Sequence, residues 1–202
     1  RAWKDAATRC ADGRTDVPLQ LDRARCALVL VDYQSRLLPA IAGGEDAIRD
    51  AVFLARVARQ LGIPVLGTEQ NPAGLGGNDE RVRALCDTTL AKTHFDATAD
   101  GLLDALRTAR PGVEQVVVAG CEAHVCLMQT ALGLQRAGLR VAVVASACGS
   151  RRPDDKAVAM QRLAQGGVVL AGAEMVAFEW LHDCGHPQFR SVLALIKQRP
   201  LD

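Results

Sequence analysis

Three residues of this chain combine a reactive side chain with a position where chemistry is usually placed. Cys126 lies in VVVAGCEAHVCLMQTALGLQRA (Val116–Ala137). There a β-branched run passes through a crossing, Cys121 to Cys126, into a segment with helical apolar spacing at Leu127, Met128, Thr130, Ala131 and Leu134. A thiol at such a junction faces unpaired backbone N–H groups and the positive end of a helix dipole. Both lower its pKa, and the same N–H groups can receive a tetrahedral oxyanion. Asp32 directly follows the apolar run ALVLV (Ala27–Val31), and a carboxylate there can take a thiol's proton. Lys92 lies in a mostly apolar segment, where an ammonium can stabilise thiolate and carboxylate together. Each residue also has an ordinary reading. Cysteine is among the most buried residue types, and a lone lysine is usually a solvated surface charge. The three together, in this order and at these element ends, carry more weight than any one alone.

The elements that must position them follow from periodicity. Ala27–Val31, Ile63–Gly67, Val116–Val118, Val141–Ala145 and Val168–Ala171 read as short, non-alternating apolar strands. Between and after them come helices over Glu45–Leu61, with Ala47, Ile48, Ala51, Leu54, Ala55 and Ala58 on one face, and over Asp79–Leu85, Gly101–Ala109, Val125–Ala137, Asp154–Ala164, Ala173–Leu181 and Phe189–Lys197. Gly62 ends the first of these. Thr89–Asp96 reads as a short segment without an assigned element. Continuous apolar strands alternating with helices predict an α/β domain: three layers, α/β/α, with a mostly parallel sheet covered on both faces. Residues 1–20 show no periodicity and are expected to be an N-terminal extension, leaving 21–202 as a single domain. An acid at the carboxyl end of a buried strand is where open α/β sheets gather ligand chemistry.

Composition removes several classes of function. A net charge of +1, 3% aromatic residues and no run of Lys or Arg longer than two argue against nucleic-acid binding. No apolar stretch approaches the ~18 residues of a membrane span. Seven scattered cysteines without a CxxC pair fit a reducing compartment, so a cytoplasmic location is expected. The glycines of Glu69–Gly77 follow neither dinucleotide nor Walker spacing. His94, His124, His182 and His186 show no clustered spacing, so neither a metal nor another cofactor is expected.

Four segments carry a resemblance to a known family: LVLVDYQ (Leu28–Gln34), GTEQNPAGLG (Gly67–Gly76), KTHFDA (Lys92–Ala97) and VVVAGCEAHVCLMQTALGL (Val116–Leu134). VVASACGSR (Val143–Arg151) is a fifth, weaker match. Together they cover most of Ala27–Trp180 and resemble the isochorismatase-like cysteine hydrolases, the family that includes nicotinamidase and N-carbamoylsarcosine amidohydrolase. The resemblance implies a Rossmann-like topology, with Cys126 as nucleophile, Asp32 as general base and later acid, and Lys92 as the cation orienting both. It also implies a cis peptide between Cys121 and Glu122, and an oxyanion hole from the Glu122 and Cys126 amides. Two departures matter. Glu69-Gln70-Asn71 stands where nicotinamidases carry an Asp-x-His metal site. Cys126 itself argues against vinyl ether hydrolysis, because true isochorismatases lack the cysteine.

Gln34, Leu37, Phe95 and Glu122 are candidate substrate contacts. Their ordinary alternatives are support of Asp32 or a place in a solvated loop for Gln34, core packing for Leu37 or Phe95, and solvent for Glu122. His124 is a minor candidate for the base. The expected activity is metal-independent hydrolysis of a small amide or related C–N bond through a thioester. The competing readings are a scaffold or partner-binding member of the fold, and a vinyl ether hydrolase. Apolar surface on the central helix and on Phe189–Ile196 predicts a homo-oligomer, dimer or larger, with the small-molecule substrate as the other partner.

Overall fold

The structure, a computed structural model, describes residues 20–199. The expected N-terminal extension therefore lies almost wholly outside the described residues. Where the chain enters, the Leu21 amide donates to Glu179 (2.8 Å), and Gln115 Nε2 donates to the Gln20 carbonyl (2.9 Å).

Six parallel strands form one sheet: β1 (Cys26–Val31), β2 (Val65–Gln70), β3 (Thr88–Lys92), β4 (Gln115–Gly120), β5 (Arg140–Val144) and β6 (Val169–Ala171), in the order β3-β2-β1-β4-β5-β6. All residues of β1 and β4 are buried, as expected of central strands covered on both faces. The helices are α1 (Gly44–Gln60), α2 (Pro72–Leu75), α3 (Glu80–Arg83), α4 (Leu102–Ala109), α5 (Met128–Arg136), α6 (Pro153–Gln165), α7 (Ala173–Leu181) and α8 (Phe189–Lys197). One group packs α1 against α7 and α8. The other packs α5 against α6 and against the Ala97–Asp100 turn that leads into α4. This is the three-layer α/β/α arrangement, with its strand order reversing at β1 and β4.

Local chemistry explains the boundaries. The α1 face read from the sequence is buried throughout, Ala47 to Ala58. Gly62, at φ 67°, closes the helix: Ile63 N–H reaches the Ala58 carbonyl (2.8 Å) and Gly62 N–H that of Arg59 (3.3 Å), a Schellman end. Gly120 is required for another reason. A Cβ there would lie 2.2 Å from the Val31 carbonyl oxygen, so β1 and β4 approach closely only without one.

One expectation is corrected. The segment around Lys92 is a sixth strand, β3; an edge strand of mostly exposed residues, TTLAK, has no buried apolar run to reveal it. The apolar surfaces read on the central helix and on Phe189–Ile196 are only partly covered within this chain, with Leu132, Leu193, Leu195 and Ile196 left half-buried. On α5, Gly133 lies against the Asp96 carboxylate and Leu132 reaches the Gly166 backbone of the α6 end. On α8, Val192 is fully buried, and Leu195 and Ile196 pack on the core.

Candidate functional site

The carboxyl ends of β1, β2, β3 and β4 meet where the strand order reverses. Asp32 is the first residue past β1 and is held at φ 53°, a left-handed conformation rare for any residue but glycine. Such conformations persist where the surroundings impose them, and they cluster at functional sites. The Asp32 amide donates to the Thr68 carbonyl of β2 (3.1 Å), and Oδ1 accepts the Thr68 hydroxyl (2.7 Å). Oδ2 lies 2.8 Å from Lys92 Nζ, with both side chains fully buried. That contact is an ion pair without hydrogen-bond alignment, so Oδ2 keeps acceptor capacity. Lys92 is the last residue of β3, and its ordinary reading as a surface charge does not hold.

Cys126 sits inside a π-helical turn, Ala123–Leu127, that runs directly into α5. Helix begins sooner after β4 than the apolar spacing indicated, and it carries the thiol inward: Cys126 is 7% exposed. Single π-turns are frequent at functional sites. The Cys121–Glu122 peptide that starts the turn is cis. The expected lowering of the Cys126 pKa is not met. Burial pushes the thiol up to about 12, the Asp32 charge adds to the rise, and Lys92 only partly opposes it. Desolvation disfavours the thiolate more than the neighbouring ammonium favours it. The surroundings therefore favour the protonated thiol.

The remaining candidates divide. Gln34 is fully buried, but its amide is taken up by backbone: Nε2 donates to the carbonyls of Gln70 (3.0 Å) and Gly76 (2.6 Å), and Oε1 accepts the Gln70 amide (2.9 Å). These hydrogen bonds go to backbone and none of its surface is exposed, so its reading as a substrate contact is corrected. The Glu122 carboxylate is buried and engaged by Arg151, at 2.8 Å from Nε and 3.3 Å from Nη2. It is not solvent-facing, and its acceptor positions are largely occupied. Leu37 packs against the core, whereas Phe95 is half exposed and open to a ligand. His124 Nδ1 pairs with Ser150 Oγ (3.0 Å). Cys121 and Cys126 are both free.

Thr68 and Gln70 were not singled out by sequence reasoning. Gln70 Oε1 accepts from Lys92 Nζ at 2.6 Å and lies 3.9 Å from Cys126 Sγ. The only trace of Thr68 was its place in the TEQ segment; the Val31–Thr68 strand register that brings it to Asp32 is not visible in the chain order. Among the described residues no group of three or more His, Cys, Asp or Glu side chains is arranged to hold a metal ion. A separate cavity of about 450 Å³, between α1 and α8, has none of the three residues in its wall.

The chain and its fold are similar to those of known proteins. Residues 26–175 match the family model described as Isochorismatase domain. The chain is 35% identical over 171 residues to mouse isochorismatase domain-containing protein 2A, covering 85% of this chain and 82% of the relative. It is 37% identical over 193 residues to zebrafish isochorismatase domain-containing protein 1, covering 90% and 67%. Among solved structures it is similar to a Caenorhabditis elegans protein named MAR1 ribonuclease, with a TM-score of 0.85, 30% identity and coverage of 91% and 95%. It also shares its fold with the Escherichia coli YcaC gene product, described as an octameric hydrolase of unknown specificity, with a TM-score of 0.76, 22% identity and coverage of 89% and 97%. From matched residues and shared architecture alike, this chain belongs to the isochorismatase domain family.

Proposed function

We propose that the chain is a metal-independent cysteine hydrolase acting on a small amide or related C–N bond. The observation that carries this reading is the convergence of Asp32 and Lys92, a buried ion pair, beside the buried thiol of Cys126. A scaffold has no use for an ion pair placed against a thiol, and desolvating two charges is costly.

The steps follow from the positions. As sulfur attacks the substrate carbon, Asp32 takes the thiol proton, and Lys92 steadies the charge on both partners. The Glu122 amide, at the N-cap of the π-turn, and the Cys126 amide, within it, receive the oxyanion. Collapse breaks the C–N bond, Asp32 passes its proton to the leaving nitrogen, and a thioester remains. Water then attacks the thioester, Asp32 takes the water's proton, and the sulfur leaves and is reprotonated. Phe95 offers the substrate an apolar wall.

A symmetric homo-oligomer belongs to this reading. Its support is the octamer described for YcaC and the exposed Met175 and Phe178, which share one side of α7. Light scattering that returns a 21.5 kDa particle at micromolar concentration would exclude it.

The decisive experiment screens small amides and ureides for ammonia release, with Cys126→Ala as the blank and single-stranded RNA as a second arm. The RNA arm addresses the ribonuclease name of the Caenorhabditis elegans relative. Cys126-dependent ammonia release is expected. RNA cleavage that survives Cys126→Ala, with no amide turned over, would overturn the proposal.

A further inference from the structure

Two side-chain amides at the site are left unused by the reaction above. Gln70 ends β2, beside Lys92 in the strand register. Both ends of its amide are fixed: Oε1 accepts from Lys92 Nζ (2.6 Å), and Nε2 donates to the Thr93 carbonyl (2.7 Å). The opposite orientation would set an NH2 group against an ammonium and a carbonyl against a carbonyl, so the oxygen must face Lys92 and the sulfur. Gln34 grips the Gln70 main chain on both its N–H and its C=O, and its own amide is oriented by the same argument. The charged groups acting on the sulfur are Asp32 and Lys92. The Gln70 carbonyl stands against one of them and 3.9 Å from the thiol.

We propose that Gln70, braced by Gln34, is a positioning residue that sets the Lys92 ammonium between Asp32 and Cys126 and keeps the resting thiol protonated. A carbonyl oxygen bound to the ammonium at 2.6 Å fixes its position and offsets part of its pull on the sulfur. The same oxygen accepts the S–H, which favours the neutral form. This deepens the hydrolase reading, since it rests on Cys126 as nucleophile.

Two variants of similar size test it in the full chain. Gln70→Glu puts a negative charge on both partners; Gln70→Met removes the acceptor. Iodoacetamide labelling of Cys126, read by peptide mass spectrometry from pH 6 to 10, reports the thiolate without any substrate. Gln70→Glu is expected to slow labelling by roughly tenfold or more at fixed pH, a profile displaced upward by about one unit. Gln70→Met is expected to speed it. Thermal melting monitors the fold, and Gln70→Asn, which withdraws the acceptor, replaces Gln70→Met if that variant does not fold. Shifts in the same direction, or no shift in either variant, would overturn the proposal, because a purely structural role has no reason to reverse sign with the charge. Absence of amide hydrolysis in the parent protein, with the opposed shifts intact, would instead refute the hydrolase reading and leave the positioning role standing.

Discussion

Lys92 Nζ lies 2.8 Å from Asp32 Oδ2, and neither side chain is exposed, although β1 and β3 are separated by β2 and never touch as strands. The long lysine stem crosses the end of β2 to bring its charge to the carboxylate. Removing one partner of a buried pair strands the other charge in a low dielectric. Lys92→Met is therefore expected to lower unfolding free energy by about 3–5 kcal/mol. The double variant Asp32→Asn with Lys92→Met should recover much of that loss. Urea unfolding of the two variants checks it; equal destabilisation in both would show that the pair is not coupled.

The same pair acts on Cys126 with opposite signs. Asp32 raises the thiol pKa and Lys92 lowers it. Asp32→Asn should consequently label faster with iodoacetamide than the parent while losing hydrolysis, and Lys92→Met should label more slowly. In the parent, labelling should climb continuously through pH 9 without levelling, since the thiol titrates near 12. A plateau reached by pH 8 would contradict the burial argument.

Alkaline stability follows from the buried thiols. Cys26, Cys126 and Cys148 are each pushed from 9.0 to about 12, chiefly by burial. Above pH 9 the unfolded chain releases these protons while the folded chain retains them, so the unfolded state binds fewer protons and stability falls as pH rises. The contribution is intact below pH 9 and is lost progressively from there to about 12. Urea midpoints should be flat from pH 7.5 to 8.5 and decline steadily above 9. A midpoint unchanged at pH 10.5 would contradict it.

Gly120→Ala tests the close approach of β1 and β4. The added carbon would sit 2.2 Å from the Val31 carbonyl oxygen, against rigid backbone, and overpacking of this kind should cost on the order of 3 kcal/mol. Gly62→Ala meets no atom within 4 Å and should cost only the left-handed backbone penalty, about 1–2 kcal/mol. Thermal melting of the pair should rank them in that order; equal losses would remove the steric argument.

Exhaustive chelation should leave ammonia release unchanged, because among the described residues no group of three or more His, Cys, Asp or Glu side chains is arranged to hold a metal ion. Activity lost on chelation and restored by one divalent metal would overturn this.

Much of the architecture was legible in the chain itself. The short apolar runs Ala27–Val31 and Val116–Val118 read as strands buried on both faces, and the α1 stripe from Ala47 to Ala58 carries its own period. Asp32 and Cys126 stood out because their residue types coincide with element ends, and Lys92 because a lone ammonium lies in a mostly apolar segment. Three things waited for the tertiary structure. β3 sits at an exposed edge, where no apolar pattern is required, and so its TTLAK sequence is silent. Thr68 and Gln70 reach the site through strand register, which local sequence does not encode. The state of the Cys126 thiol is set by the balance of burial against two opposed charges. The sequence names those charges, but the balance depends on how deeply the fold places the sulfur among them.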